Sequence, residues 1–227
     1  VISVVMVVRN GARYLADALR SVDAQTLAAR EIVVVDGHSS DETVAIASGY
    51  DSVRVTTQRG PTLSDAYNEG VEAARGELIA FLSYDDTWTP RKLELQSARL
   101  RAQPPADACV GLVEHVIEPE DSPPPGFRPE LLAGPRAARL MELLVLPRRT
   151  WERVGPMRAD CGTAGDVDWF SRAGDLGVRF AVVPELLLRK RVHALSSAHT
   201  DHYNQVGLLR AMHESVLRKR EAEGTSR

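Results

Sequence analysis

Short apolar runs alternate with helical periodicity over the first hundred residues. Val1 to Val8 is valine-rich, as suits a strand buried on both faces. Asn10-Gly11 breaks it, and Tyr14, Leu15, Ala18, Leu19 and Val22 then recur at helical spacing. A second run, Ile32 to Val35, stops at Asp36-Gly37, and Ser40 is placed to cap a helix from Asp41. Val53 to Thr57 reads as a third strand. Arg59-Gly60-Pro61 is a turn, and Leu63 to Ala74 a helix ended by Gly76. Leu78 to Leu82 is a fourth run, closed by Ser83-Tyr84-Asp85-Asp86, and Pro90 opens a helix through Arg101.

Strand and helix alternating across short connections predict an α/β fold with a mostly parallel sheet covered by helices. Ligands of such sheets bind outside the carboxyl ends of the strands. Asp36 and the pair Asp85-Asp86 occupy two of those ends, so they are expected to face one crevice.

The second half is less regular. Ala108 to Val116 reads as a strand. Residues 118–135 hold six prolines and predict a long loop, a common place for function. Leu140 to Leu146 fits strand or helix. Asp166 to Leu176 predicts a helix ended by Gly177, Val178 to Val183 and Leu186 to Arg191 two strands, and Tyr203 to Lys219 an amphipathic helix.

Composition narrows the function classes. The chain has 227 residues, 44% apolar and 26% charged, with net charge −3. That is an ordinary globular balance, and it points neither to nucleic acid nor to an anionic membrane. No apolar run approaches the ~18 residues of a membrane span. Val1 to Val8 lacks a basic flank and a cleavage site, so it reads as a strand and not as a signal peptide. Two distant cysteines, Cys109 and Cys161, are no disulfide framework and fit reduced thiols of a cytoplasmic protein.

Acids at strand and helix ends are the candidate chemistry. Adjacent carboxylates after a buried strand suit Mg²⁺ or Mn²⁺, which keep substrate phosphates as further ligands; Asp85 and Asp86 could equally cap the next helix. Asp36 can accept from a ribose or a base N–H, or serve a turn. Asp166, near a helix start, is stabilised as the ionised form and suits a general base, with Asp168 in reserve; capping is the alternative for both. Arg189-Lys190-Arg191 could face a diphosphate. His199 and His202 lack the company a zinc site needs.

Taken in order, several segments resemble the family 2 glycosyltransferases of the GT-A fold. They are Ile2-Ser3-Val4-Val5-Met6 with Asn10-Gly11, and Glu31-Ile32-Val33-Val34-Val35-Asp36-Gly37-His38-Ser39-Ser40-Asp41. Asp65-Ala66-Tyr67-Asn68-Glu69-Gly70, Ala74-Arg75-Gly76-Glu77 and Phe81-Leu82-Ser83-Tyr84-Asp85-Asp86 follow. The resemblance implies one GT-A domain over 1–227, with a nucleotide-sugar half at 1–102, an acceptor and catalytic half at 103–200 and a C-terminal helix at 201–227. It implies an inverting transfer from a nucleotide-sugar, usually a UDP-sugar, with Mn²⁺ or Mg²⁺ on the diphosphate. Val8, Arg9, Asn10, Asp36 and Asp65 would serve the nucleotide, with Arg191 and Trp169 also at the substrate. Asp86 would be the direct metal ligand, completed by His193, and Asp85 would lie nearer the sugar or ribose. Asp166 falls on the family's catalytic Asp, with Trp169 and Arg172 matching the rest of that motif.

The chain departs from the family pattern. Arg9 replaces an aromatic that often stacks on the base, though a guanidinium also stacks on flat rings. Gly37, Ser83 and Gly165 each stand where the family carries an acid. Two rival readings follow: a sugar nucleotidyltransferase, whose glycine-rich loop Val8-Arg9-Asn10-Gly11-Ala12-Arg13 matches poorly, and a degenerate binding protein. The acceptor, whether glycan, natural product or peptide, is unwritten, and self-association as a homodimer is left open.

Overall fold

The computed structural model describes residues 1–194 and positions 213, 215 and 218. The helix expected over Tyr203 to Lys219 lies, apart from those three positions, outside the described residues, as do His199 and His202.

The alternating half folds as read. β1 (Ile2–Val8), β2 (Glu31–Asp36), β3 (Val53–Thr57) and β4 (Leu78–Ser83) pair in parallel in the order β3-β2-β1-β4. The two central valine runs are buried along almost their whole length because helices cover both faces. α1 (Leu15–Asp23), α2 (Thr43–Ser48) and α3 (Leu63–Ala73) make the crossovers. Register fixes the edge that matters. Val8 lies beside Asp36, and Val7 beside Ser83, so three strand ends meet.

A helix interior normally disfavours glycine, yet Gly70 sits in α3. A Cβ there would come within 2.3 Å of Val5 Cγ1, so the glycine lets the helix lie on β1. Gly70→Ala should therefore destabilise the protein by about 1–3 kcal/mol through overpacking, despite alanine's better helix propensity. Chemical denaturation reads this directly; an unchanged midpoint would contradict it.

The sheet continues through shorter elements. β5 (Thr87–Trp88) and α4 (Lys92–Arg101) follow the acidic pair. β6 (Ala108–Val116), β7 (Arg136–Ala137), β8 (Val145–Pro147) and β9 (Phe180–Arg191) complete it, in the order β4-β8-β6-β9-β5 with β7 on β6. β6 and β9 are parallel, whereas β8 runs antiparallel to β4 and β6. α5 (Arg148–Val154) packs against β8 and α6 (Gly165–Asp175), and α6 against α3.

Four local expectations are corrected. α2 begins at Thr43, not Asp41, and Ser40 does not cap it: the Ser40 N–H donates to Asn10 Oδ1 instead, and Asp41 accepts from the Thr43 N–H. α4 starts at Lys92, since Thr87-Trp88 is drawn into the sheet by β9. Leu140 to Leu146 divides into a 3-10 turn, Met141–Leu143, and β8. The two strands expected over 178–191 are one strand, β9. Its pairing with β6 is irregular between Val182 and Leu188, where Pro184 has no N–H to offer. Neither cysteine forms a disulfide, and both are buried.

Candidate active site

A cavity of about 490 Å³ opens at the carboxyl ends of β1 and β4. Val8 and Arg9 line it, with Ser83, Tyr84 and Asp85 after β4 and Asp166 at the start of α6. Lys190, Arg191 and Glu142 reach it from β9 and from the 3-10 turn before β8. Five segments far apart in sequence thus bring three cations, Arg9, Lys190 and Arg191, and three carboxylates, Asp85, Glu142 and Asp166, to one place.

The acidic pair divides. In the turn after β4, Asp85 lines the cavity while Asp86 is wholly buried. Both Asp86 oxygens are taken: Oδ2 by Lys190 Nζ at 2.9 Å and Oδ1 by the Arg191 N–H at 2.9 Å. The expected direct metal ligand is therefore an internal counter-ion in this arrangement. Asp85 Oδ2 lies 3.1 Å from His193 Nε2. Burial opposes ionisation of Asp85, but the His193 hydrogen bond and the Lys190 charge outweigh it and hold the carboxyl below its usual range.

Among the described residues no three His, Cys, Asp or Glu side chains converge as a metal cage. A carboxylate oxygen and an imidazole nitrogen 3.1 Å apart nevertheless fit a Mg²⁺ or Mn²⁺ that draws its other ligands from phosphate and water. His193 is oriented by the Tyr14 ring, 4.9 Å away. The Tyr14 hydroxyl donates to Asp121 at 2.8 Å, tying the proline-rich loop to the same corner.

Asp166 lies in the cavity with its pKa raised to about 6, first by burial and then by the negative charge of Glu142. The Val167 N–H and Lys190 pull the other way. Beside it, Gly165 replaces the family's Glu for a steric reason. A Cβ at Gly165 would lie 2.4 Å from Ser64 Oγ, so any side chain requires Ser64 to move.

Several other residues have structural roles. Asp168 is wholly buried and accepts from Arg172 Nε at 2.8 Å, so it is no reserve base. Trp169 is core, not substrate wall: it is wholly buried, stacks on Trp151 and donates from Nε1 to Gly155 O. Asp65 completes a capping box with Thr62 and does not line the cavity. Asn10, in the left-handed region at φ 51°, joins the ends of β1 and β2 through Ser39 and Ser40 and lies outside the lining. Asp36 sits on the expected edge, but it is buried and its carboxylate accepts from the Ser39 N–H, so it does not line this cavity. Arg191 does line it, braced by Asp17 and Glu118 with its guanidinium 4.5 Å from the Tyr14 ring centre.

Glu142 is the site residue sequence reading passed over; Lys190 was named only within a basic run that could face a diphosphate, and it does line the cavity. The only signal for Glu142 was a lone acid inside the apolar stretch Leu140 to Leu146.

The sequence profile of glycosyl transferase family 2 matches residues 3–171. An uncharacterised glycosyltransferase of Rickettsia typhi is 28% identical over 231 residues, covering 96% of this chain and 72% of that protein. The Escherichia coli UDP-Glc:alpha-D-GlcNAc-diphosphoundecaprenol beta-1,3-glucosyltransferase WfgD is 33% identical over 98 residues, 42% of this chain and 39% of WfgD. Among solved structures, S. aureus TarS 1-349 in complex with UDP-GlcNAc superposes with a TM-score of 0.75 at 15% identity, over 96% of this chain and 66% of TarS 1-349. At that identity the likeness concerns the fold, which is GT-A. No helix among the described residues is long and apolar enough to cross a membrane.

Proposed function

The chain belongs to glycosyl transferase family 2, and on that premise we propose that it moves a sugar from a nucleotide-sugar to a hydroxyl or other nucleophile of an acceptor, with inversion. The donor we propose is a UDP-sugar, because WfgD is named for UDP-Glc and TarS 1-349 is solved with UDP-GlcNAc. The observation that carries this reading is the presence of Asp85 and Asp166 in the lining of one cavity at the strand ends.

Each residue then has a task. Arg9 stacks on the base at the end of β1. Arg191, braced by Asp17 and Glu118, presents positive charge to the diphosphate. Asp85 and His193 would hold Mn²⁺ or Mg²⁺, which supplies Lewis-acid charge to the phosphate oxygens. Asp166 takes the proton of the acceptor as it attacks the anomeric carbon. The rival readings lack a comparable observation. Consumption of a nucleoside triphosphate with a sugar phosphate would identify a nucleotidyltransferase, and donor binding without any turnover a binding protein.

Thermal shift tests donor and metal together. At a hundred times its Kd, UDP with Mn²⁺ stabilises a native state by ~2.7 kcal/mol. For a chain of this size that raises the midpoint on the order of 5–10 °C. Asp85→Ala should abolish the shift, measured against that variant's own ligand-free midpoint. An Asp85→Ala protein that still gains the full Mn²⁺-dependent shift would contradict the assignment.

A further inference from the structure

Lining the same cavity is a cation to which the resemblance gives no role. Lys190 lies on β9, and its charge favours the ionised form of both Asp85 and Asp166. Its ammonium is 2.9 Å from Asp86 Oδ2 and 3.1 Å from Glu142 Oε1. Each of those carboxylates is itself fixed: Asp86 by the Arg191 N–H, Glu142 by the Ser83 hydroxyl at 2.7 Å. A lysine normally swings on a flexible four-carbon stem; here its head is pinned at two points.

An ammonium has three N–H donors. Two are used by Asp86 and Glu142, and one is left on a side chain that is 24% exposed and lines the cavity wall. A pair kept only for stability gains little over apolar residues of the same size. The arrangement makes more sense as preorganisation of the third N–H.

We propose that Lys190 is a catalytic residue whose remaining N–H meets the leaving oxygen on the β-phosphate of the donor. This rests on the transferase reading above. In the step, the bond from the anomeric carbon to that oxygen breaks and its electron pair stays on the phosphate. The acceptor oxygen forms the new bond to the same carbon and loses its proton to Asp166. Lys190 keeps its own protons and stabilises the charge growing on the leaving oxygen, as fixed donors do best in a site that excludes water. Asp86 and Glu142 are positioning residues that act through Lys190.

Calorimetric titration of UDP and UMP, both in Mn²⁺, separates this from a structural role. Lys190→Met should bind UMP like wild type and UDP roughly 10- to 100-fold more weakly, the range of one charge-assisted hydrogen bond. Its kcat should fall ~10²–10³-fold. Should Lys190→Met fail to fold with Asp86 left unpaired, Lys190→Met combined with Asp86→Asn removes the ion pair as a unit and should show the same selective loss. Wild-type UDP affinity in either variant, or equal losses for UDP and UMP, would overturn the role of Lys190. A wild-type protein that binds neither UDP nor any nucleotide-sugar would overturn the transferase reading and this role with it.

Discussion

Asp166→Asn should lower turnover ~10²–10⁴-fold, the usual contribution of a general base, with Mn²⁺-dependent UDP affinity unchanged. Asparagine keeps the shape and loses the proton acceptor, so binding and chemistry separate. The same carboxylate sets the pH dependence. Burial, with the charge of Glu142, lifts its pKa to about 6, and the base must be ionised to work. Activity is therefore half-maximal at about pH 6, nears its plateau about a unit above, and falls toward tenfold per unit well below it. An ordinary carboxylate would place that fall near pH 4. Glu142→Gln should move the acid limb to lower pH, because it removes a negative charge that disfavours ionised Asp166. Near-normal turnover in Asp166→Asn, or wild-type activity that holds level down to pH 5, would sink the assignment.

The first half of the fold was legible because its information is local. A parallel strand buried on both faces has to be an unbroken apolar run, and β1 and β2 are such runs. Acids placed directly after them mark the strand ends whatever they do there. What the acids do was less legible. Asp85 and Asp86 differ by which way a side chain leaves the backbone, and the partners that settle Asp86 come from β9, 104 and 105 residues further on. Spacing carries no trace of that pairing. Asp65 shows the reverse case: Thr62 three residues earlier is a capping signature, and the structure uses it as one. Glu142 was hidden for a third reason. Its role depends on Ser83 and Lys190 arriving from two other strands.

The same distinction between local pattern and distant partner governs α6. A motif that places Asp166, Asp168, Trp169 and Arg172 on one helix reads as a cluster of site residues, yet only Asp166 reaches the cavity. The rest hold the helix start in place. Asp168 is wholly buried and meets Arg172 Nε at 2.8 Å; the other guanidinium nitrogens donate to Val154 O at 2.6 Å and Pro156 O at 2.8 Å. Arg172→Ala would strip all of these and leave an unpaired carboxylate in the core. Breaking a buried pair from one side costs ~3–5 kcal/mol, enough to consume much of a typical domain's margin. Denaturant unfolding should show that loss, and a variant within 1 kcal/mol of wild type would contradict it. Replacing Asp168 and Arg172 together with Leu and Met should cost less than Arg172→Ala alone, because no charge is then left buried without its partner. If the double variant folds, its Asp166 should keep its raised pKa, since neither Asp168 nor Arg172 is among the groups that set it.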